Sequence, residues 1–332
     1  MKFGEVTPKD AVGAVLAHSV SCGSKRLKKG AVLSQADVDL LLDSGFETIS
    51  VAQLEESDIS ENEAAEQLAF ALAPEGGAHA LERTLPFTGR VNLVASGAGV
   101  ALVDREKLIA MNALDPMISC ATVPHMQQMQ KGGLVATVKI ISYAVPKEAL
   151  VRAADLARES ISLKTPQLKT ASLLITADAP SPSETKAVDV IKTRLDALGV
   201  ELRDVSTTAH AADEMVQALQ TFQSDLLLIL TSSATSDVQD TAPRALRQAG
   251  GEVERFGMPV DPGNLLFLGE LNGRSVIGLP GCARSPALNG ADWVMSRVIC
   301  GIDITAMDFA EMSVGGLLKE IPTRPHPRRK EK

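Results

Sequence analysis

Rings are scarce in this chain: one Trp, one Tyr and eight Phe among 332 residues, 3% aromatic. An interior so poor in rings has to be filled with Ala, Val, Leu and Ile. That suits helices lying close on a sheet in βα units, and it suits nucleobase stacking badly. No basic stripe runs through the body of the chain, and 33 basic residues stand against 41 acidic ones for a net charge of −8. A nucleic acid is therefore excluded as the main partner on electrostatic grounds. The four cysteines, Cys22, Cys120, Cys282 and Cys300, form no CxxC and have no His at metal spacing, which excludes zinc-ribbon and disulfide-scaffold classes. No apolar run approaches the roughly 18 residues a membrane span needs, and Glu5, Lys9 and Asp10 interrupt what would be the apolar region of an export signal. The expectation is a soluble, cytoplasmic protein with no membrane and no nucleic-acid partner.

What is present is globular in composition, with 45% hydrophobic and 22% charged residues, and the length suits two or three domains. The reading divides the chain into an N-terminal α/β unit over 1–73, a small β-rich unit over 74–145, a connecting helix over 146–166, an α/β domain over 167–305 and a charged, Pro-rich tail over 306–332. In the first unit Ser34 with Asp37 three residues on predicts a capped helix whose apolar stripe Val38, Leu41, Leu42 stops at Gly45. A strand over Thr48–Val51 and a helix over Glu61–Leu72 follow, and Pro74–Ala78 is a break. The runs VNLVAS, VALVD and LVATVKIISYAV predict short strands, and Thr88, Gly89 and Arg90 form a polar turn before the first of them.

After Lys169 strand and helix alternate. SLLIT (172–176) predicts a buried strand, Ser183 the cap of a helix ending at Gly199, VELRDV a second strand, and Thr208 the opening of a helix that carries Ala212, Met215, Leu219 and Phe222. LLLIL (226–230) has the composition of a central strand buried on both faces. Asn272-Gly273 between two apolar runs predicts a type I′ hairpin, and a last helix is expected over 287–300. His18, His79, His125 and His210 share no local pattern and are read as surface or capping residues.

Open α/β sheets bind ligands at the carboxyl ends of their strands, and two loops qualify. Thr231–Pro243 runs from LLLIL into a helix; its small residues let a backbone approach a ligand, and its hydroxyls and helix N-terminus supply donors. Asp240 or Thr241 caps that helix if the loop is merely structural. Gly278–Pro286, GLPGCARSP, carries two glycines suited to tight turns, Arg284 suited to phosphate or carboxylate, and Ser285 as a cap or donor; its bland alternative is a helix start with a solvated Arg284.

At these loops VDPGNLLFLGELNGRSVIGLPGCARSP resembles the C-terminal part of the molybdopterin-binding (MoaB/Mog-type) domain shared by molybdopterin adenylyltransferases and molybdopterin molybdotransferases. The likeness is greatest to a bacterial branch carrying GLPGCARSP and a DPGN turn, sometimes fused to a nucleotidyltransferase. It covers about 170–305, and Lys25–Ala52 resembles the segment before that domain. The resemblance implies a three-layer, mainly parallel sheet, with molybdopterin or its nucleotide form bound by Ser232, Ser233, Ala234, Thr235, Ser236, Asp237, Asp240, Pro280, Gly281, Cys282, Ala283, Arg284 and Ser285. It also implies a homo-oligomer, and a molybdoenzyme or nucleotidyltransferase as partner. Where the family carries a glycine-rich loop after the central strand, this chain has Ser232–Ser236. Asp240 is the nearest counterpart of the family's acidic residue, and in an active transferase it would be the catalytic group positioning Mg²⁺. Three functions follow: a binding or delivery protein of molybdenum cofactor biosynthesis, an active transferase, or a scaffold for molybdoenzyme maturation.

Overall fold

The computed structural model describes residues 1–74, 79–177 and 182–318; Glu75–Ala78 of the expected break and the 324–332 stretch of the expected tail lie outside them. The protein is mixed α/β with several sheets, and contacts divide it into two compact units. Met1–Gly97 with Ala101–Lys164 make up one, and the chain from Thr165 onward forms the body of the other.

In order, the first unit contains β1 (Lys2–Val6), β2 (Val15–Leu16), β3 (Val20–Cys22), β4 (Lys25–Leu27), α1 (Gln35–Asp43), β5 (Ile49–Gln53), β6 (Asp58–Ser60) and α2 (Glu61–Leu72). There follow β7 (Leu81–Arg83), β8 (Arg90–Ala95), β9 (Gly99–Val103, in this unit from Ala101), α3 (Arg105–Asn112), β10 (Ile118–Thr122), β11 (Gln127–Met129), β12 (Leu134–Ile140), β13 (Ala144–Pro146), α4 (Lys147–Leu156) and β14 (Ile161–Lys164). Ser34 and Asp37 make the expected capping box at the start of α1. Two hydrophobic clusters fill this unit. The smaller gathers Ala11, Leu16, Leu33, Leu41, Ile49 and Val51. The larger begins at Ile59 and takes in α2, whose Ala64, Ala65, Leu68, Ala69 and Leu72 pack with Val91 and Leu93 of β8 and Val138 of β12. The division between the cores therefore falls between Val51 and Ile59 rather than at 73, because an Ala-rich helix face can lie close on a sheet and α2 spends it on the β-rich core. The expected connecting helix belongs to the same core through Leu150, Ala153 and Ala157, and it ends at Leu156 before β14. The Thr88-Gly89-Arg90 turn is tied internally: Gly89 N–H donates to Asn62 Oδ1 at 2.7 Å and Lys139 Nζ to the Thr88 carbonyl at 2.6 Å.

The second unit contains β15 (Thr170–Thr176), α5 (Pro182–Asp196), β16 (Glu201–Thr208), α6 (Ala212–Thr221), β17 (Leu226–Leu230), α7 (Thr241–Gln248), β18 (Glu252–Phe256), β19 (Phe267–Leu271), β20 (Arg274–Leu279), α8 (Gly290–Ile299) and α9 (Ala306–Glu311). Its six strands run in the order β16-β15-β17-β20-β19-β18. β15 is parallel to β16 and β17, and β17 to β20. The β19–β20 hairpin is antiparallel, with Asn272 and Gly273 both at positive φ (53° and 75°) as a type I′ turn requires.

Every residue of β17 is buried. Leu226, Leu228 and Leu230 join one core with Ile191 and Leu195 of α5 and Val294 and Ile299 of α8. Leu227 and Ile229 join another with Met215 and Leu219 of α6 and Leu246 of α7. The period-2 alternation of a strand thus feeds two cores, one on each face.

Several local expectations shift. Thr208 ends β16 instead of opening a helix, and α6 starts at Ala212 with no side-chain cap. Ser183 falls inside α5, which begins at Pro182. The last long helix starts at Gly290 behind the capping box of Asn289 and Asp292. Residues 306–311, expected in the tail, form α9, which buries Phe309 in the core beneath the guanidinium of Arg255, 5.2 Å from the ring centre. Gly278 is a strand residue paired with Phe267, and a Cβ on it would lie 1.9 Å from the Phe267 ring. Its lack of a side chain serves packing, not the expected tight turn. Gly278→Ala is expected to destabilise the protein by about 1–3 kcal/mol. In urea unfolding the loss should shrink in a Phe267→Leu background, where the clash is relieved.

Candidate functional site

Strand order reverses between β15 and β17: the chain leaves β15 for β16 on one side and returns to β17 on the other. Such a switch point leaves a crevice at the carboxyl ends of the strands, and side chains with hydrogen-bonding capacity collect there. Thr176 ends β15, and its Oγ1 accepts the Ser232 N–H at 2.8 Å. The same oxygen lies 3.0 Å from Nδ1 of His210, whose Nε2 is 3.5 Å from Ser233 Oγ. His210, read from sequence as a surface residue, is half-buried in this cluster. Its only signal in the sequence was its place two residues past a strand that the reading ended early.

The Thr231–Pro243 loop is held largely by its own groups. Thr231 Oγ1 donates to the Ser233 carbonyl at 2.6 Å, and Thr235 is buried. Asp240 caps α7: Oδ1 accepts the Thr241 N–H at 2.6 Å, and Oδ2 reaches back to the Ser236 N–H at 2.9 Å. These bonds suit the ionised form, so the Ser236 N–H foremost, with help from the Thr241 N–H and the neighbouring His210, holds the carboxyl below the usual carboxylate range against the opposing effect of burial. Asp237 is exposed and accepts the Gln239 N–H at 2.7 Å. The N–H groups of Ser233, Ala234 and Thr235 have no partner among the described residues. Successive N–H groups of this kind suit an anion.

In the second loop Gly281–Arg284 make one 3-10 turn after Pro280. Pro280 and Ala283 are buried, Gly281 is exposed, and Cys282, Arg284 and Ser285 are half-buried. Arg284 Nη2 donates to the Thr231 carbonyl at 3.0 Å, which joins the two loops. No carboxylate among the described residues lies within 4 Å of this guanidinium, so its charge is available to a ligand. Ser285 Oγ accepts the Ala287 N–H at 3.3 Å while Asn289 does the capping.

The residue that shapes this loop lies far from it in sequence. Arg194 of α5 pairs through Nε with Asp292, and its other nitrogens donate to the carbonyls of Ala283 (2.9 Å), Ser285 (2.7 Å) and Ala287 (3.1 Å). On the far side Gly263 of the DPGN turn lies so close to Gly290 that a Cβ would come within 2.6 Å of its nitrogen. Among the described residues no group of three or more His, Cys, Asp or Glu is placed to hold a metal ion, and no helix among them is long and apolar enough to cross a membrane.

A family model described only as a domain of unknown function, DUF8806, matches residues 5–53. That span contains the whole smaller cluster of the first unit. No curated protein matches the chain. Among solved structures, the molybdopterin biosynthesis MoeA protein from Pyrococcus horikosii is similar at 13% identity and a TM-score of 0.31, over 73% of this chain and 79% of that one. Molybdenum cofactor biosynthesis protein B is similar at 11% identity and 0.28, over 40% and 88%. The CinA protein with unknown function from Thermoplasma acidophilum is similar at 16% identity and 0.25, over 35% and 90%. Scores this low establish no shared fold.

Arg194→Ala strands Asp292, whose pairing with Arg194 leaves the two side chains only 12% and 10% exposed, and is expected to cost about 3–5 kcal/mol in denaturant unfolding. Arg194→Lys should recover little of that loss, since an ammonium cannot span all these acceptors. Asp240→Ala is expected to cost about 1 kcal/mol at neutral pH, the worth of an N-cap. The folded carboxyl has the lower pKa, so its contribution is complete above the unfolded value of about 4 and is lost as pH falls through the folded value. Unfolding curves of wild type and Asp240→Ala should therefore converge in acid.

Proposed function

We propose that the C-terminal unit is a three-layer, mainly parallel molybdopterin-binding domain, and that it holds molybdopterin or its nucleotide form as cargo in molybdenum cofactor biosynthesis or delivery. One arrangement carries the reading: Arg284, with no carboxylate within 4 Å among the described residues, donates to the Thr231 carbonyl and so joins the GLPGCARSP loop to the end of β17, shortly before three backbone N–H groups that have no partner among the described residues. A phosphate needs a local cation and convergent N–H groups, and bulk charge of −8 does not oppose that. The sequence resemblance of GLPGCARSP supports a pterin phosphate over other anions. Ser232 and Ser233 are exposed, and their hydroxyls are further donors. In this reading a molybdoenzyme or nucleotidyltransferase receives or modifies the cargo in the cytoplasm, and the chain works as a homo-oligomer.

Binding is favoured over transfer by the state of Asp240. Each of its oxygens already accepts a backbone N–H that closes the loop or caps α7, so the carboxylate holds the cradle in shape. Titration calorimetry with molybdopterin or its adenylated form should give at least micromolar affinity. Arg284→Ala should weaken it by about 1.5–3 kcal/mol, the scale of one charge-assisted contact. No detectable heat from the wild-type protein would overturn the reading. Turnover of ATP or an adenylated pterin that disappears in Asp240→Asn would move the assignment to transferase.

A further inference from the structure

The first unit holds a groove of about 760 Å³ between α3, β10 and the turn that follows it, and the site above makes no use of it. Its floor is apolar: Val103, Leu108 and Cys120 are at most 8% exposed, and Ile109, Val123 and Pro124 add walls. The volume falls in the range of small-molecule sites, which run from about 300 to 1,000 Å³.

Two features make this a formed site. Asn112 stitches α3 to the strand beside it: its Nδ2 donates to the carbonyls of Leu108 (2.8 Å) and Cys120 (3.1 Å), and its Oδ1 accepts the Cys120 N–H at 2.9 Å. The walls are therefore held before any ligand arrives. At one end the His125 ring is fixed by the Val103 N–H donating to its Nδ1 at 3.1 Å.

Charge selects the occupant. Arg105 lines the groove as the first residue of α3, where the helix dipole adds positive character of its own. Of the neighbouring charges, Asp104 is spent on the Lys107 N–H and Nζ, and no carboxylate among the described residues, Glu106 included, lies within 4 Å of Arg105. A peptide strand is disfavoured, because β10 is an edge strand whose outward groups at Cys120 are already taken by Asn112. Burial pushes the Cys120 thiol up to about 12, so it stays neutral and the groove offers no nucleophile.

We infer that this groove binds a small amphipathic anion, an apolar body seated between α3 and β10 with one carboxylate or sulfonate at Arg105. Two fluorescent probes test it on the full-length protein: 8-anilino-1-naphthalenesulfonate and its neutral relative N-phenyl-1-naphthylamine. Wild type should bind both. Arg105→Gln should weaken the sulfonate by about fivefold or more and leave the neutral probe within about twofold. Ala113→Trp, which fills the groove, should abolish both signals with the far-UV spectrum and melting temperature retained; Thr122→Trp replaces it if that variant does not fold. Equal probe binding by wild type and the filled variant overturns the site. An equal response of both probes to Arg105→Gln overturns the assignment of the anionic group.

Discussion

Leu226–Leu230 are buried on both faces of the six-stranded sheet, and a strand without a wet face can place polar chemistry only beyond its ends. That constraint organises the C-terminal unit. Helices must cover both faces, the connections must leave at the carboxyl edge, and the strand order reverses beside β17, the place where open sheets of this kind put their ligands. Thr176, His210, Ser232 and Ser233 meet at that edge because β15, β16 and β17 deliver them to it.

The two loops at the crevice are stiffened in different ways. Thr231–Pro243 is tied from within, through Asp237, Asp240 and Thr231. GLPGCARSP is clamped from behind by Arg194, which donates to the carbonyls of Ala283 and Ser285 and to that of Ala287 just beyond the motif. Among the described residues the N–H groups of Ser233, Ala234 and Thr235 have no protein acceptor, and Arg284 has no carboxylate within 4 Å.

The first unit uses the same economy of side chains. α2 approaches β8 and β12 through Ala64, Ala65 and Ala69, and no aromatic residue is needed to fill the space between them. The 1–73 boundary expected from the sequence misplaced α2 for this reason. An Ala-rich helix shows a weak apolar stripe, and nothing in its own residues says which sheet it covers.

Elements whose signal is local were legible from the residues themselves. The Ser34 box, α2, the doubly buried β17 and the Asn272-Gly273 turn each depend on side chains within a few positions of one another. The two candidate loops were legible too, since strand ends and glycine, serine and arginine content mark them. The assignment of residues 306–311 and the roles of Arg194, His210 and Gly278 were not, because each rests on a partner outside its own element: Asp292 for Arg194, Thr176 for His210, Phe267 of the paired strand for Gly278 and Arg255 for Phe309. By itself the sequence determined elements such as α1, α2 and β17, because hydrophobic period and capping act over one or two turns. Only the tertiary structure decided which of those loops meet and which polar groups are left unspent, because that depends on contacts closed across dozens of residues.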